Sequence, residues 1–352
     1  MIQINLDRVR ICLTCPDSFF DKLFSNLCVL KKDSIEFDGF TLSNNDSEEN
    51  NRNSITARLF LEEGKLLPTK LGDCEFRRSR MNGIKCFFTY NTSLLYETDT
   101  YTYSIRNKNV QKYNYFIYPL LAFEVMGLKF NNVSSVELAA DTDSNVIHKI
   151  NYAVGKTELF DMILHHKKIL NPNEELNGYG VYYPRSRKRI SSRPTLYVKP
   201  HHKEFGNNIS LKIYDKAKEM AQSCPYKETT IREWNNMTKN IQRMEVTIEN
   251  KPFQRFFKQM RAKDPGKYAN VGLSMENGSI GEKEALEYFF MELGQNQDLR
   301  REMFTYFSNL LLHFKRKNHT KDQITLLYLA ENSISSFDKK SKKKVKEKKE
   351  AA

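Results

Sequence analysis

Residues 241–249, which read Ile-Gln-Arg-Met-Glu-Val-Thr-Ile-Glu, carry the signal that decides the fold class. From Met244 onward every second side chain is apolar, which is the period of two typical of a β-strand with one buried face. The other face carries Arg243 and Glu245. A strand of this kind predicts a sheet with the hydrophobic core on one side and charged side chains on the other.

Two earlier segments repeat this alternation. Residues 133–141 read Val-Ser-Ser-Val-Glu-Leu-Ala-Ala-Asp, and residues 211–216 read Leu-Lys-Ile-Tyr-Asp-Lys. Their polar faces carry Glu137, Asp141, Lys212, Tyr214 and Lys216. If the three strands pair in one antiparallel sheet, their apolar faces rest on helices and their polar side chains gather on the opposite face.

The remaining pattern defines the organisation of the chain. Short alternating strands interspersed with helices extend to about residue 250, whereas apolar residues recur at helical spacing beyond Pro252. We therefore predict an α+β fold, with a central antiparallel sheet packed on helices in a catalytic domain at 1–250. A helical C-terminal region at 251–337 and a disordered, lysine-rich tail at 338–352 follow.

Composition narrows the class of partner. The 352-residue chain has 56 Lys and Arg and 43 Asp and Glu, which gives a formal net charge of +13. This charge favours an anionic partner: nucleic acid is the first candidate and an anionic membrane surface is the second. The most apolar segment, Tyr115–Leu128, falls short of the roughly 20 residues that span a bilayer, so no membrane partner is expected. The chain starts without an apolar signal segment, and we expect a cytoplasmic protein. Its six irregularly spaced cysteines predict reduced thiols.

The polar face of the three strands has the residue types of a phosphate-cleaving site. Glu137, Asp141 and Glu245 supply hard oxygen ligands, which Mg²⁺ or Mn²⁺ prefers. Tyr214 lies between two lysines, and nearby cations stabilise a phenolate. A metal, a tyrosine and a basic surface together suggest attack on a DNA phosphate. The simpler interpretation, a solvated sheet with cross-strand ion pairs, stays open at this stage.

The order of the three segments, S-S-V-E-L-A-A-D (134–141), L-K-I-Y-D-K-A-K-E (211–219) and I-Q-R-M-E-V-T-I (241–248), resembles the rolling-circle replication initiators of small plasmids and filamentous phages. The resemblance covers about residues 130 to 260. By similarity, Tyr214 matches the nicking tyrosine, Lys216 its companion lysine, and Glu137 and Glu245 the acids of the metal site. Asp141 matches a second acid found in part of the family. Ser135 departs from the arginine that many relatives carry two residues before the first acid.

The resemblance implies a protein that nicks one strand of origin DNA, forming a 5′-phosphotyrosine link and a 3′-OH that primes rolling-circle replication. It implies Mg²⁺ or Mn²⁺ as cofactor, and host helicase and polymerase as partners besides DNA. Whether the chain forms a homodimer stays open, as does the role of the helical region. The alternatives are a mobilisation relaxase with the same chemistry and a non-enzymatic origin-binding protein.

A basic stretch leads into the Tyr214 strand and is predicted to contact the DNA backbone, with nearby tyrosines stacking on an unpaired base. Lys212 and Arg243, on the polar face of the sheet, are assigned the same role. The basic residues of the stretch are Arg185, Arg187, Lys188, Arg189, Arg193, Lys199 and Lys203.

Other motifs are weaker. His201 and His202 are adjacent, so on a strand they face opposite sides and cannot share a metal. Cys12 and Cys15 have metal-ligand spacing, but no second Cys or His pair follows at the distance of a zinc module, which favours buried thiols. No phosphate-binding glycine-rich loop occurs, so ATPase activity is not expected.

Overall fold

The computed structural model describes residues 1–45, 50–62, 69–79, 81–91, 114–165, 167–170, 181–182, 195–199, 208–223, 241–268, 293–294, 296–317, 319–334 and 336. The strands are β1 (Ile4–Cys15), β2 (Ser34–Phe37), β3 (Phe40–Asn44), β4 (Ser54–Leu61), β5 (Thr69–Ser79), β6 (Gly83–Tyr90), β7 (Lys129–Thr142), β8 (Phe160–Leu164), β9 (Lys167–Ile169), β10 (Val181–Tyr182), β11 (Leu196–Val198), β12 (Ile209–Asp215), β13 (Gln242–Glu249), β14 (Leu312–Arg316) and β15 (His319–Ile324).

The helices are α1 (Asp17–Leu23), which continues into a π-helical segment (Phe24–Val29), α2 (Asn114–Val125), α3 (Val146–Gly155), α4 (Lys216–Ser223), α5 (Asn250–Lys263), α6 (Pro265–Tyr268), α7 (Gln297–Leu311) and α8 (Leu326–Glu331). Strands and helices are mixed along the chain, which confirms the predicted α+β class.

The main feature of the fold is a large antiparallel sheet. Its strand order is β10-β11-β12-β13-β7-β1-β6-β5-β4-β3-β2, and a smaller sheet has the order β15-β14-β8-β9. The three segments singled out in the sequence form β7, β12 and β13, and they are consecutive neighbours in the order β12-β13-β7. Their pairing confirms that one sheet holds all three.

The chain divides into two compact units, each built from distant segments. The first unit contains 1–4, 138–247 and 301–352, and the second contains 5–137 and 248–300. The units therefore do not follow the predicted boundary at residue 250.

In the first unit, side-chain hydrogen bonds fix the helices. Asn145 caps the start of α3 by accepting from the backbone N–H of His148 at 2.9 Å. The side chain of Gln242, on β13, accepts from the N–H of Ile147 at 3.0 Å. Lys149 donates to the carbonyls of Leu329 and Asn332, both at 2.7 Å, and so binds the end of α8, where cations are favourable.

In the second unit, consecutive strands β2 to β6 pair antiparallel over a core of alternating apolar side chains. Helix α5 buries Phe253, Phe256, Phe257 and Met260, a helical spacing of three and four residues. Its first residue, Asn250, donates to the carbonyl of Val133 on β7 at 2.6 Å. This bond attaches the helix to the sheet at the strand that carries Glu137.

The C-terminal region corrects one prediction. Residues 251–337 were expected to be helical, but β14 and β15 lie within them, and β14 pairs with β8. Leu312 and Phe314 are buried in this strand and Lys315 is exposed. Apolar residues continue from α7 into β14, and such a short run fits both the helical period of 3.6 and the strand period of two, so the sequence did not indicate where the helix ends. The predicted tail at 338–352 lies outside the described residues.

Within the described part of the chain, no helix combines the length and the apolar character needed to cross a membrane.

Candidate functional site

Tyr214 is the centre of the site. It lies on β12, is 6% exposed, and its hydroxyl donates a hydrogen bond to Oε1 of Glu245 on the neighbouring strand β13. Glu245 is equally buried. A hydroxyl held by a buried carboxylate forms a charge-assisted hydrogen bond, and the carboxylate lies where it can take the phenolic proton.

Two lysines flank this pair. Nζ of Lys212 lies 4.0 Å from the centre of the Tyr214 ring and 3.4 Å from Oε2 of Glu245. Nζ of Lys216 donates to the Tyr214 hydroxyl at 3.3 Å and pairs with Glu219 at 2.5 Å. Both cations favour negative charge on the phenolic oxygen.

The position of Lys216 follows from the end of β12. The residue begins α4, and its backbone N–H donates to the carbonyl of Ile241 at 2.9 Å, which fixes the helix start beside β13. The Lys216 side chain, 11% exposed, therefore stays close to Tyr214 on β12. The sequence predicted a shared face for Tyr214 and Lys216, and the structure brings the two side chains into contact.

Arg243 and Asp141 form a buried pair that corrects two predicted roles. Nε and Nη2 of Arg243 donate to the two carboxylate oxygens of Asp141, both at 2.7 Å, and the side chains are 1% and 0% exposed. Arg243 is therefore inaccessible to a DNA backbone, contrary to the prediction, and the oxygens of Asp141 are bound by the guanidinium and not held ready for a metal. Nη1 of Arg243 lies 3.8 Å from Oε1 of Glu245, so the pair also orients the carboxylate that holds Tyr214.

One acidic residue of this region, Asp7, was not predicted from the sequence. Within the second unit, a carboxylate oxygen of Asp7, on β1, lies within 4.8 Å of a carboxylate oxygen of Glu137, on β7. Carboxylates this close repel one another unless a cation or a shared proton compensates, and a divalent ion bound by hard oxygens suits them. Of the predicted metal ligands, Glu137 thus has an acidic neighbour in its own unit, Glu245 accepts the bond from Tyr214, and Asp141 is bound by Arg243. The available signal was the alternation in the first strand, which places Asp7 on the face of Asn5, a buried amide without a hydrogen-bond partner within the described residues.

The predicted DNA contacts divide into two groups. Lys199 is exposed directly after β11, and Lys212, whose side chain is 38% exposed, lies at the edge of the tyrosine site. The remaining members of the basic stretch, Arg185, Arg187, Lys188, Arg189, Arg193 and Lys203, lie outside the described residues, as do His201 and His202.

The described cysteines are free thiols. Cys12, Cys15, Cys74 and Cys86 are buried. Burial raises the pKa of Cys15 to about 12 and also raises the pKa of Cys12. Because a metal ligand must be a thiolate, this pair does not form a metal site in its neutral state.

Comparisons with protein-family models, with curated proteins and with solved structures each gave no match.

Proposed function

We propose that this chain is a DNA nicking and closing enzyme that initiates replication by covalent attack of Tyr214 on one strand. The observation that carries the proposal is the buried hydrogen bond from the Tyr214 hydroxyl to Glu245, with Lys212 and Lys216 beside it. The fold alone would not support this function, because one fold hosts many activities. The support comes from a nucleophile, a proton acceptor and two cations within reach of one another.

The chemistry follows from these contacts. The phenolic oxygen of Tyr214 forms a bond to the phosphorus, and the bond from phosphorus to the 3′-oxygen breaks. The phenolic proton passes to Glu245, and the leaving 3′-oxygen takes a proton from solvent. The products are a 5′-phosphotyrosine and a free 3′-OH, and the reverse reaction rejoins a strand without ATP because the covalent link conserves the phosphodiester energy.

The other residues have supporting roles. Lys216 stabilises the phenolate through its bond to the hydroxyl, and Lys212 balances the charge of Glu245. Arg243, held by Asp141, orients Glu245. A Mg²⁺ or Mn²⁺ ion held by Glu137 and Glu245, the acids that the resemblance assigns to it, would neutralise charge on the scissile phosphate.

The test is covalent capture of DNA. Purified protein is incubated with Mn²⁺ and either a random-sequence single-stranded DNA library or the supercoiled replicon that carries its gene, and SDS-resistant adducts are isolated. We expect an adduct whose nucleotide maps to Tyr214 by mass spectrometry and which EDTA abolishes. Tyr214→Phe should form no adduct, and Glu245→Gln should slow its formation by about 10² to 10⁴, the range for losing a general base.

A matched control uses a neighbouring tyrosine. Tyr197, on β11, lies opposite Lys212 in the sheet, so Tyr197→Phe removes a hydroxyl from the same region without touching the proposed nucleophile. This variant should keep the adduct. A wild-type protein that forms no adduct with either DNA, or an adduct that survives in Tyr214→Phe, would refute the nicking function and leave the non-enzymatic alternative.

A further inference from the structure

The second unit has a basic surface that the tyrosine site does not use. Phe87, on β6, is opposite Cys12 on β1 and Glu75 on β5, and directly opposed residues point to the same side of a sheet. The reverse side of these strands carries core residues such as Ile11 and Phe88. Steps of two along the strands give the outward side, which we call the basic sheet face, and Lys70 joins it through its pairing with Phe60 beyond a register shift in β4 and β5. Its cations are Arg8, Arg10, Arg58, Lys70, Arg77 and Lys85, and its acids are Glu36, Asp73 and Glu75.

The charges on this face compensate each other only in part. Arg58 is directly opposite Asp73, and Glu75 pairs with Arg10 and Arg77, but cations outnumber acids. Arg77 is directly opposite Lys85, and like charges in that position destabilise a sheet. Lys85 donates to the neutral hydroxyl of Thr14 at 2.9 Å, and no acid pairs with it among the described residues. The excess of cations over acids fits an anionic partner that is not part of the chain.

An aromatic ring lies among these cations. The guanidinium carbon of Arg10 is 4.8 Å from the centre of the Phe87 ring, and that of Arg77 is 5.6 Å from it. Glu75 accepts hydrogen bonds from both arginines, so one carboxylate holds two guanidinium groups against one ring. The Arg77 side chain keeps 58% of its surface exposed and the Arg10 side chain 30%, so part of each side chain reaches solvent.

This combination identifies the chemistry of the partner. Exposed cations bind phosphates, while aromatic rings and guanidinium planes stack on bases. Bases offer their faces for stacking only when they are unpaired. We propose that the basic sheet face binds single-stranded nucleic acid, with Phe87 and its two arginines stacking on a base and Lys85 contacting a phosphate. The proposal goes beyond the nicking reaction and does not depend on it.

The test is binding in the absence of covalent chemistry. In a Tyr214→Phe background, a fluorescein-labelled oligo(dT) of about 16 nucleotides is titrated and followed by anisotropy at several salt concentrations. Phe87→Leu, which keeps an apolar side chain, should weaken binding about tenfold through the lost stacking contact. Lys85→Ser should lower the slope of log K against log salt by about 0.7, the value for one phosphate contact on a single strand.

Lys258→Ser is the matched control, since it removes the same charge from an exposed position on α5, and it should leave affinity and slope unchanged. Circular dichroism verifies that each variant is folded. Arg77→Ser, which changes an exposed side chain, is a second test variant and should also bind less tightly. Equal affinity for duplex of the same length, or unchanged binding by Phe87→Leu and Arg77→Ser, would overturn the proposal. A Tyr214→Phe protein that still nicks DNA would refute the proposed function but not this surface.

Discussion

The buried pair of Arg243 and Asp141 gives a stability prediction whose size follows from its geometry. Both side chains are at most 1% exposed and share two hydrogen bonds of 2.7 Å. Asp141→Asn keeps the shape but leaves the buried guanidinium with only Glu245, 3.8 Å from Nη1, as a counter-charge, and Arg243→Met leaves the buried carboxylate of Asp141 without its guanidinium. Breaking one side of a buried pair costs about 3–5 kcal/mol. With a urea m-value of about 3 kcal/mol/M, each variant should lower the unfolding midpoint by about 1 M or more.

The double variant measures how much of the cost comes from the interaction between Arg243 and Asp141 themselves. Because Asp141→Asn with Arg243→Met removes both charges, it should cost clearly less than the sum of the single variants, with a coupling free energy of about 2 kcal/mol or more. Urea unfolding followed by circular dichroism measures all three. Glu158→Gln is the control: it breaks an exposed pair with Lys156, at 3.8 Å, and should change the free energy of unfolding by less than about 1 kcal/mol. A cost below about 1 kcal/mol for Asp141→Asn, or simple additivity in the double variant, would contradict the reasoning.

Two further predictions concern the second unit. A Cβ on Gly72 would lie 2.4 Å from both the Phe88 ring and the Thr89 carbonyl oxygen, so Gly72→Ala should destabilise the protein by about 1–3 kcal/mol. Gly155 has open space around it, so the control Gly155→Ala should be nearly neutral. Equal effects of the two variants in thermal unfolding would refute the steric argument. Burial raises the pKa of Cys15 to about 12; it also raises the pKa of Cys28, but that thiol is only half-buried. In the native protein Cys15 should therefore react with iodoacetamide far more slowly than Cys28, and similar rates by peptide mass spectrometry would refute this.

The sequence could predict those features of the site that depend on residues close together in the chain. Tyr214 and Lys212 are two residues apart on one strand, so the period of two places them on one face without knowledge of the rest of the fold. The same holds for Arg243 and Glu245. Periodicity states which face a side chain occupies, but not which neighbour it contacts. Arg243 was therefore assigned to DNA, although its partner, Asp141, lies on another strand.

The sequence itself determined the strand pattern of β7, β12 and β13, the α+β class and the position of Tyr214 on the polar face of its strand, because each depends on the spacing of neighbouring residues. Only the tertiary structure decided that Glu245 accepts the bond from Tyr214, that Asp7 lies beside Glu137, and that β14 leaves the helical pattern to pair with β8. It also decided the register that collects Arg10, Arg77 and Phe87 on one face. These features depend on which distant segments pair and in what register, and that choice is made by burial of the whole core and not by any local run of residues.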